Sequence, residues 1–347
     1  MRKNETATAV TATSVIAVLG LVLTLHAQPI SHGELLLAVS QGDSALSLVK
    51  IEGKTLTPLA KIPVGKGSRE EVCVSPDGRR AYVSNDSENT TTAIDLEAQK
   101  VIATIALPGI KHAEGCAESP DGKKLYVAGM ESDNVAIVST GTNQLLKTIE
   151  AGKEPRRFVF TPDGRRVYVT SEDAKTIRIL DVATDKVVDS FESGGQGPRI
   201  LVPLPDQKTL LVANVDDDSA SFIDIATKKM TLNIGVGGSP QRVEISRDGA
   251  WAYVLAVIER KISVIDLKGA HVRAKKFVSV GTAPYGMAIS EDGSLLFVSD
   301  PGSNEIAALD TTAIDALKLN TPLTQLPPVA RLTLNRPMGL AIRPSTR

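Results

Sequence analysis

A turn-forming tetrapeptide recurs through this chain at a nearly constant interval. Ser75-Pro76-Asp77-Gly78 is followed by Ser119-Pro120-Asp121-Gly122 and Thr161-Pro162-Asp163-Gly164. Variants stand at Leu204-Pro205-Asp206-Gln207, Ser246-Arg247-Asp248-Gly249 and Ser290-Glu291-Asp292-Gly293, and a degenerate copy, Arg343-Pro344-Ser345-Thr346, ends the chain. Successive fourth residues lie 44, 42, 43, 42 and 44 positions apart from residue 78 to residue 293. A fixed period of this size is the signature of a repeat architecture, and it constrains the fold more than any single residue.

Each interval has the same internal order. A β-rich run follows the turn, as in Ala81-Tyr82-Val83-Ser84, Val167-Tyr168-Val169-Thr170 and Leu296-Phe297-Val298-Ser299. Then come a polar loop and an alternating strand that ends in Asp, at Asp95, Asp181, Asp224, Asp266 and Asp310. A further strand and a Gly/Pro-rich corner lead to the next turn. This order predicts four short strands per interval and shows no helical periodicity. Such a unit has two apolar faces, and a closed radial ring buries both against its neighbours. Seven turn positions therefore predict an all-β, seven-bladed β-propeller with four antiparallel strands per blade.

The first β-rich run, Leu35-Leu36-Leu37-Ala38-Val39-Ser40, has second-strand character. Its missing first strand is expected from Met338-Gly339-Leu340-Ala341-Ile342, so the C-terminal strand completes the first blade and hides an edge. The last interval carries an insertion around Ala313 to Pro328, read as a loop with one helical turn. Glycines of the Asp-Gly turns are expected at positive φ. The Asp that ends each third strand is expected to accept backbone N–H groups of the following turn.

Tyr82-Val83-Ser84-Asn85 and Tyr168-Val169-Thr170-Ser171, set among Ser-Pro-Asp-Gly turns and Ile-Asp-Leu strand ends, resemble the YVTN-repeat β-propeller family over residues 33–345. The resemblance implies a propeller across the mature chain, with any site at one mouth of the central channel. It is silent on activity. Such propellers include ligand scaffolds, surface proteins, nucleic-acid binders, lactonases and subunits beside redox enzymes.

The chain begins with Arg2 and Lys3, followed by an uncharged apolar run from Val15 to Leu25. That is the length of a signal-peptide core and short for a membrane span. Residues 1–27 are read as a signal peptide cleaved after Ala27, with an uncleaved anchor as the alternative, and residues 28–347 as a single propeller. The mature chain would be secreted or periplasmic, without a membrane span, in an oxidising environment. Two cysteines are too few for a disulfide framework or a four-cysteine zinc site. Cys73 and Cys116 fall on equivalent innermost strands of adjacent blades, where a disulfide and a buried thiol pair both fit. A net charge of −1 and 3% aromatic residues argue against general nucleic-acid binding. The sequence has no Gly-x-Ser-x-Gly elbow, no Gly-rich Lys-Ser/Thr phosphate loop and no Cys-x-x-Cys-His. Asp216-Asp217-Asp218 lacks the ligand spacing of an EF-hand and reads as a solvated loop. No metal site is expected, and no cofactor is identified.

Five places before the first residue of each turn stand Glu70, Glu114, Arg156, Arg199, Gln241, Tyr285 and Met338. The following position gives Glu71, Gly115, Arg157, Ile200, Arg242, Gly286 and Gly339. Ring closure should gather these corners at one channel mouth, with Arg69 and His112 close by. The candidate ligand-binding residues are Arg69, Glu70, His112, Glu114, Arg156, Arg199, Arg242 and Tyr285. Arginines on adjacent blades can fork onto a carboxylate or phosphate, and His112 beside Glu114 would make an oriented base. The plainer alternative is an exposed charge network that closes the mouth and holds water. The main expectation is a scaffold for a small anionic ligand or a protein partner. The alternatives are a propeller enzyme (a lactonase-like hydrolase, lyase or isomerase) and an accessory subunit of a periplasmic redox enzyme.

Overall fold

The seven turn positions correspond to seven antiparallel sheets set in a ring. The computed structural model describes residues 33–67, 71–268, 273–317 and 322–345. The N-terminal segment 1–27, Arg69 and Glu70 lie outside the described residues. The innermost strands run Pro337–Arg343, Val72–Val74, Ala113–Glu118, Pro155–Phe160, Pro198–Pro203, Pro240–Ile245 and Met287–Ile289, in blades one to seven. Each touches the next, and the seventh touches the first, so the ring closes around a channel.

Closure follows the predicted clasp. Pro337–Arg343 pairs antiparallel with Leu35–Ser40, with Leu36 opposite Ile342 and Leu37 opposite Ala341. Period-two alternation divides that first strand between two cores. Leu35, Leu37 and Val39 pack with Val72, Val83 and Ile94 of blade two, while Leu36 and Ala38 pack with Phe297, Ile306 and Leu340. Such two-faced burial recurs at all seven junctions, which is why the strands are apolar on both faces.

Side chains explain the recurrent motifs. In the first Ser-Pro-Asp-Gly turn, Ser75 Oγ donates to Asp77 Oδ1 at 2.6 Å, the Arg80 N–H donates to Ser75 Oγ at 2.8 Å, and Gly78 has φ +69°. Gly122 has the same φ, as expected. The Asp ending each third strand accepts a turn N–H: Asp95 from Ala98 and Asp181 from Thr184, both at 2.8 Å. Asn85, closing the Tyr-Val-Ser-Asn run, donates to Thr90 and Thr92 and ties the second strand to the third.

The insertion departs from the repeat. Asp310 caps a one-turn helix, Thr311–Asp315, by accepting the Thr312 N–H. Thr324–Gln325 then pairs in parallel with the end of Arg273–Ser279 and becomes a fifth strand on blade six. The sequence indicated the helical turn but not the added strand. Two residues are too few for a period to show.

Cys73 and Cys116 are joined by a disulfide with Cα atoms 5.9 Å apart, linking the innermost strands of blades two and three.

Candidate functional site

In blades three to six the corner residues sit at β-bulges. In blade four Pro155 pairs with Ser171 and Phe158 with Val169, so Arg156 and Arg157 together oppose one residue. In blade three Glu114 and Gly115 stand likewise between Ala113 and Cys116. Arg199 and Gln241 are the extra residues in blades five and six. A bulge re-aims its side chains, which turns these residues away from strand alternation and towards the mouth. Hydroxyls of the second strands hold the bulges in place. Thr170 Oγ1 accepts the Arg157 N–H at 3.0 Å and donates to the Arg199 carbonyl at 3.2 Å. Ser299 does the same between Gly286 and the Met338 carbonyl, at 2.7 and 2.6 Å.

Two ion clusters result. In the first, an Arg156 Nη1 contacts Glu114 Oε2, and Arg156 Nε and Nη2 reach the two Glu172 oxygens at 2.7 and 2.9 Å. Arg199 Nη2 donates to Glu114 Oε1 at 3.2 Å. Blades three, four and five are thereby bridged. The cluster is buried: Glu114 is 0% exposed and Arg156 7%. The expectation of solvated loop charge is corrected here, because the bulges direct these groups inward. Burial pushes the Glu172 carboxyl upward, opposed by Arg156 and Arg199. For Arg156 burial works against the charge, but Glu114 and Glu172 outweigh it and hold its pKa above the ordinary value.

The second cluster lies along the channel. Arg157 Nη2 sits 2.6 Å from Glu71 Oε2 across the ring, and Arg242 Nη2 is 3.9 Å from the same oxygen. The Arg242 guanidinium lies 5.3 Å from the Tyr285 ring centroid. Glu71, Arg157, Arg242 and Glu244 line a cavity of about 140 Å³ whose apolar wall includes Phe158, Ile200 and Met287. Glu244 is half-buried in the wall of this cavity. Burial, reinforced by Glu71 and opposed by Arg242, raises its pKa to about 8.

The structure brings together Glu114, Arg156 and Arg199, and separately Arg242 and Tyr285. It does not pair His112 with Glu114. His112 occupies the blade corner at φ +56°, with its N–H donated to Asn89 Oδ1 at 2.8 Å. Its ring nitrogens lie 3.8 Å from Asp86 and 3.5 Å from Glu131. The same staple recurs from Glu154 to Asp133, Ser239 to Asp218 and Arg336 to Asn304, so the His112 position is set by inter-blade architecture. Asp217 and Asp218 likewise accept backbone N–H groups, Asp217 from Gln196 in the corner before its own blade and Asp218 from Ser239 in the corner after it. Glu172 and Glu244 were not among the sequence candidates. Glu172 follows Tyr168-Val169-Thr170-Ser171 directly, and Glu244 stands two places after Arg242, outside the corner column.

A family model described as a seven-bladed β-propeller lactonase matches residues 26–187, and a YNCE-like β-propeller model matches residues 191–294. Among solved structures, hydrazine synthase of Kuenenia stuttgartiensis is 27% identical over 73% of this chain and 80% of that one, with a TM-score of 0.64. The periplasmic gluconolactonase of Pseudomonas aeruginosa is 16% identical over 89% of this chain and 98% of its own, with a TM-score of 0.70. A dihydro-haem d1 dehydrogenase is 19% identical over 92% and 78%, with a TM-score of 0.64. The last two likenesses are of fold alone. No curated protein sequence matches the chain. Among the described residues, no helix is long and apolar enough to cross a membrane.

Proposed function

We propose that this chain is an exported YVTN-type propeller that acts as a binding scaffold and takes a small anionic ligand, or an acidic group of a protein partner, at its channel mouth. One observation carries the reading. Four arginines from blades four, five and six, Arg156, Arg157, Arg199 and Arg242, converge on Glu71, Glu114 and Glu172. An entering carboxylate or phosphate would compete with these glutamates for the charge-assisted bonds of the arginines, first for those of Arg157 and Arg242, which line the channel cavity. The Cys73–Cys116 bridge and the N-terminal apolar run support export to an oxidising compartment. Calorimetric titration with citrate tests the reading. Binding should weaken at least tenfold in a folded Arg157→Ala/Arg242→Ala variant, and unchanged affinity would overturn it.

A propeller enzyme is the second reading, favoured by Glu244. At pKa about 8 its carboxyl is largely protonated at neutral pH and suited to donating a proton inside the channel. The lactonase-model match over residues 26–187 makes a lactone the first substrate to try. Gluconolactone hydrolysis that Glu244→Gln abolishes would establish it. The third reading, a subunit beside a redox enzyme, draws on the likeness to hydrazine synthase.

A further inference from the structure

Two of the carboxylates that meet the arginines come from other blades than theirs, while Glu172 shares blade four with Arg156. Glu71 and Glu114 belong to blades two and three, whereas the arginines belong to blades four to six. Each of the two carboxylates lies two residues before a cysteine, Glu71 before Cys73 and Glu114 before Cys116, and the disulfide joins those two strands. The bond therefore ties together two of the three segments that neutralise the arginines, the third being that of Glu172 in blade four. Blade two depends on it most. Its innermost strand has three residues, Val72–Val74, as does that of blade seven, while those of blades three to six have six. Glu71 stands just outside that short strand, and it still has to reach past blade three to Arg157 on blade four.

We propose that the Cys73–Cys116 bond regulates the mouth. Closed, it holds Glu71 and Glu114 on the arginines; opened by a dithiol, it loosens the blade-two strand and yields the arginines to an anionic ligand. The inference rests on the anion-binding reading above. Cys73 is the more exposed of the two cysteines, and Cys116 is 7% exposed, so a thiolate attacks Cys73 Sγ and Cys116 leaves. The second thiol of the reductant then resolves the mixed disulfide. Two electrons and two protons pass to the protein thiols, and the reductant becomes its own disulfide.

The test compares citrate affinity of the oxidised chain, the dithiothreitol-reduced chain and a Cys73→Ser/Cys116→Ser variant, alongside amide exchange of residues 71–74. Reduction should tighten citrate binding about threefold or more and speed exchange at 71–74 relative to residues 199–202 of blade five. The variant should match the reduced chain; if it fails to fold, the reduced wild type carries the comparison alone. Equal affinity in the oxidised and reduced chains, or exchange at 71–74 unmoved by reduction, overturns redox control and leaves anion binding standing. Absence of citrate binding in every form overturns the anion reading and the control built on it.

Discussion

Gly122 shows how one atom enforces the turn. Its φ of +69° is a region that disfavours side chains with a Cβ, although a Cβ there would meet only Glu118 Oε1, at 3.4 Å. Gly122→Val should therefore cost about 1–2 kcal/mol through backbone strain alone, measurable by urea denaturation. Gly115 is the opposite case. A Cβ there would stand 1.8 Å from the Arg156 carbonyl, so Gly115→Ala should force blades three and four apart and cost more than Gly122→Val. The repeat announced Gly122, whereas nothing in the sequence distinguished Gly115, because its constraint is a neighbour's backbone 41 residues away in sequence. Glu118, beneath the same turn, carries a pH signature. Burial raises its pKa from 4.5 to about 7, with Arg80 and Tyr82 pulling it back. A carboxyl that holds its proton more tightly when folded stabilises the protein below pH 4.5, and that stability is lost as pH rises towards 7. Thermal midpoints at pH 5 and pH 8 should accordingly differ less in Glu118→Gln than in the parent, and an equal difference would show that burial does not govern this group.

Bulges at both margins of the blades decide what the strands present. At the outer margin Leu59, Ile102, Leu146, Val188 and Thr231 are each the extra residue of an edge strand. Those bulges twist the edges and oppose edge-to-edge pairing between molecules, although Leu146 is 55% exposed and Val188 50%. At the inner margin the bulges build the ion clusters, and this limited what the sequence disclosed. Alignment on the turns identified Glu114, Arg156 and Arg199 as a column but could not show that each leaves strand register. Spacing therefore leaves a ligand pocket and an exposed charge network both open for this column, and it sets His112 beside Glu114, whereas its ring lies near Asp86 and Glu131. Arg157 lay in the adjacent column because a bulge directs two consecutive residues together, whereas Glu71 precedes a strand that pairs in unbroken register. Burial changes the energetic expectation. Removing one partner of a buried pair leaves the others unneutralised and costs about 3–5 kcal/mol. Arg156→Ala should destabilise by that amount, while Lys153→Ala, whose side chain is 64% exposed beside Asp133, should leave the midpoint unchanged. Comparable midpoints for the two variants would mean that solvent reaches the Glu114 cluster.

The ring as a whole was the most legible level, because closure depends on a period and on which strand is missing, and both are written along the chain. Strand identity within the insertion was not, since Thr324–Gln325 is held by the free edge of blade six and not by its own pattern. Closure also makes stability a property of the ring. The C-terminal strand pairs with Leu35–Ser40, places Leu340 between blades seven and one, and contributes the Met338 carbonyl that Ser299 Oγ engages. Ser345 adds hydrogen bonds to Glu291 on blade seven. Deleting residues 336–347 strips blade one of its innermost strand and leaves both adjoining cores open. Loss of Met338 and Leu340 burial alone is worth at least about 3 kcal/mol. The single tryptophan, Trp251, lies on the second strand of blade six, remote from the cut, and separates the two ways the molecule can respond. If the blades support one another around the ring, Trp251 fluorescence and far-UV circular dichroism should lose stability together, at a common and lower denaturant midpoint. If Trp251 keeps its original midpoint while circular dichroism shows a small early loss, blade one frays alone and the C-terminal strand is not the clasp.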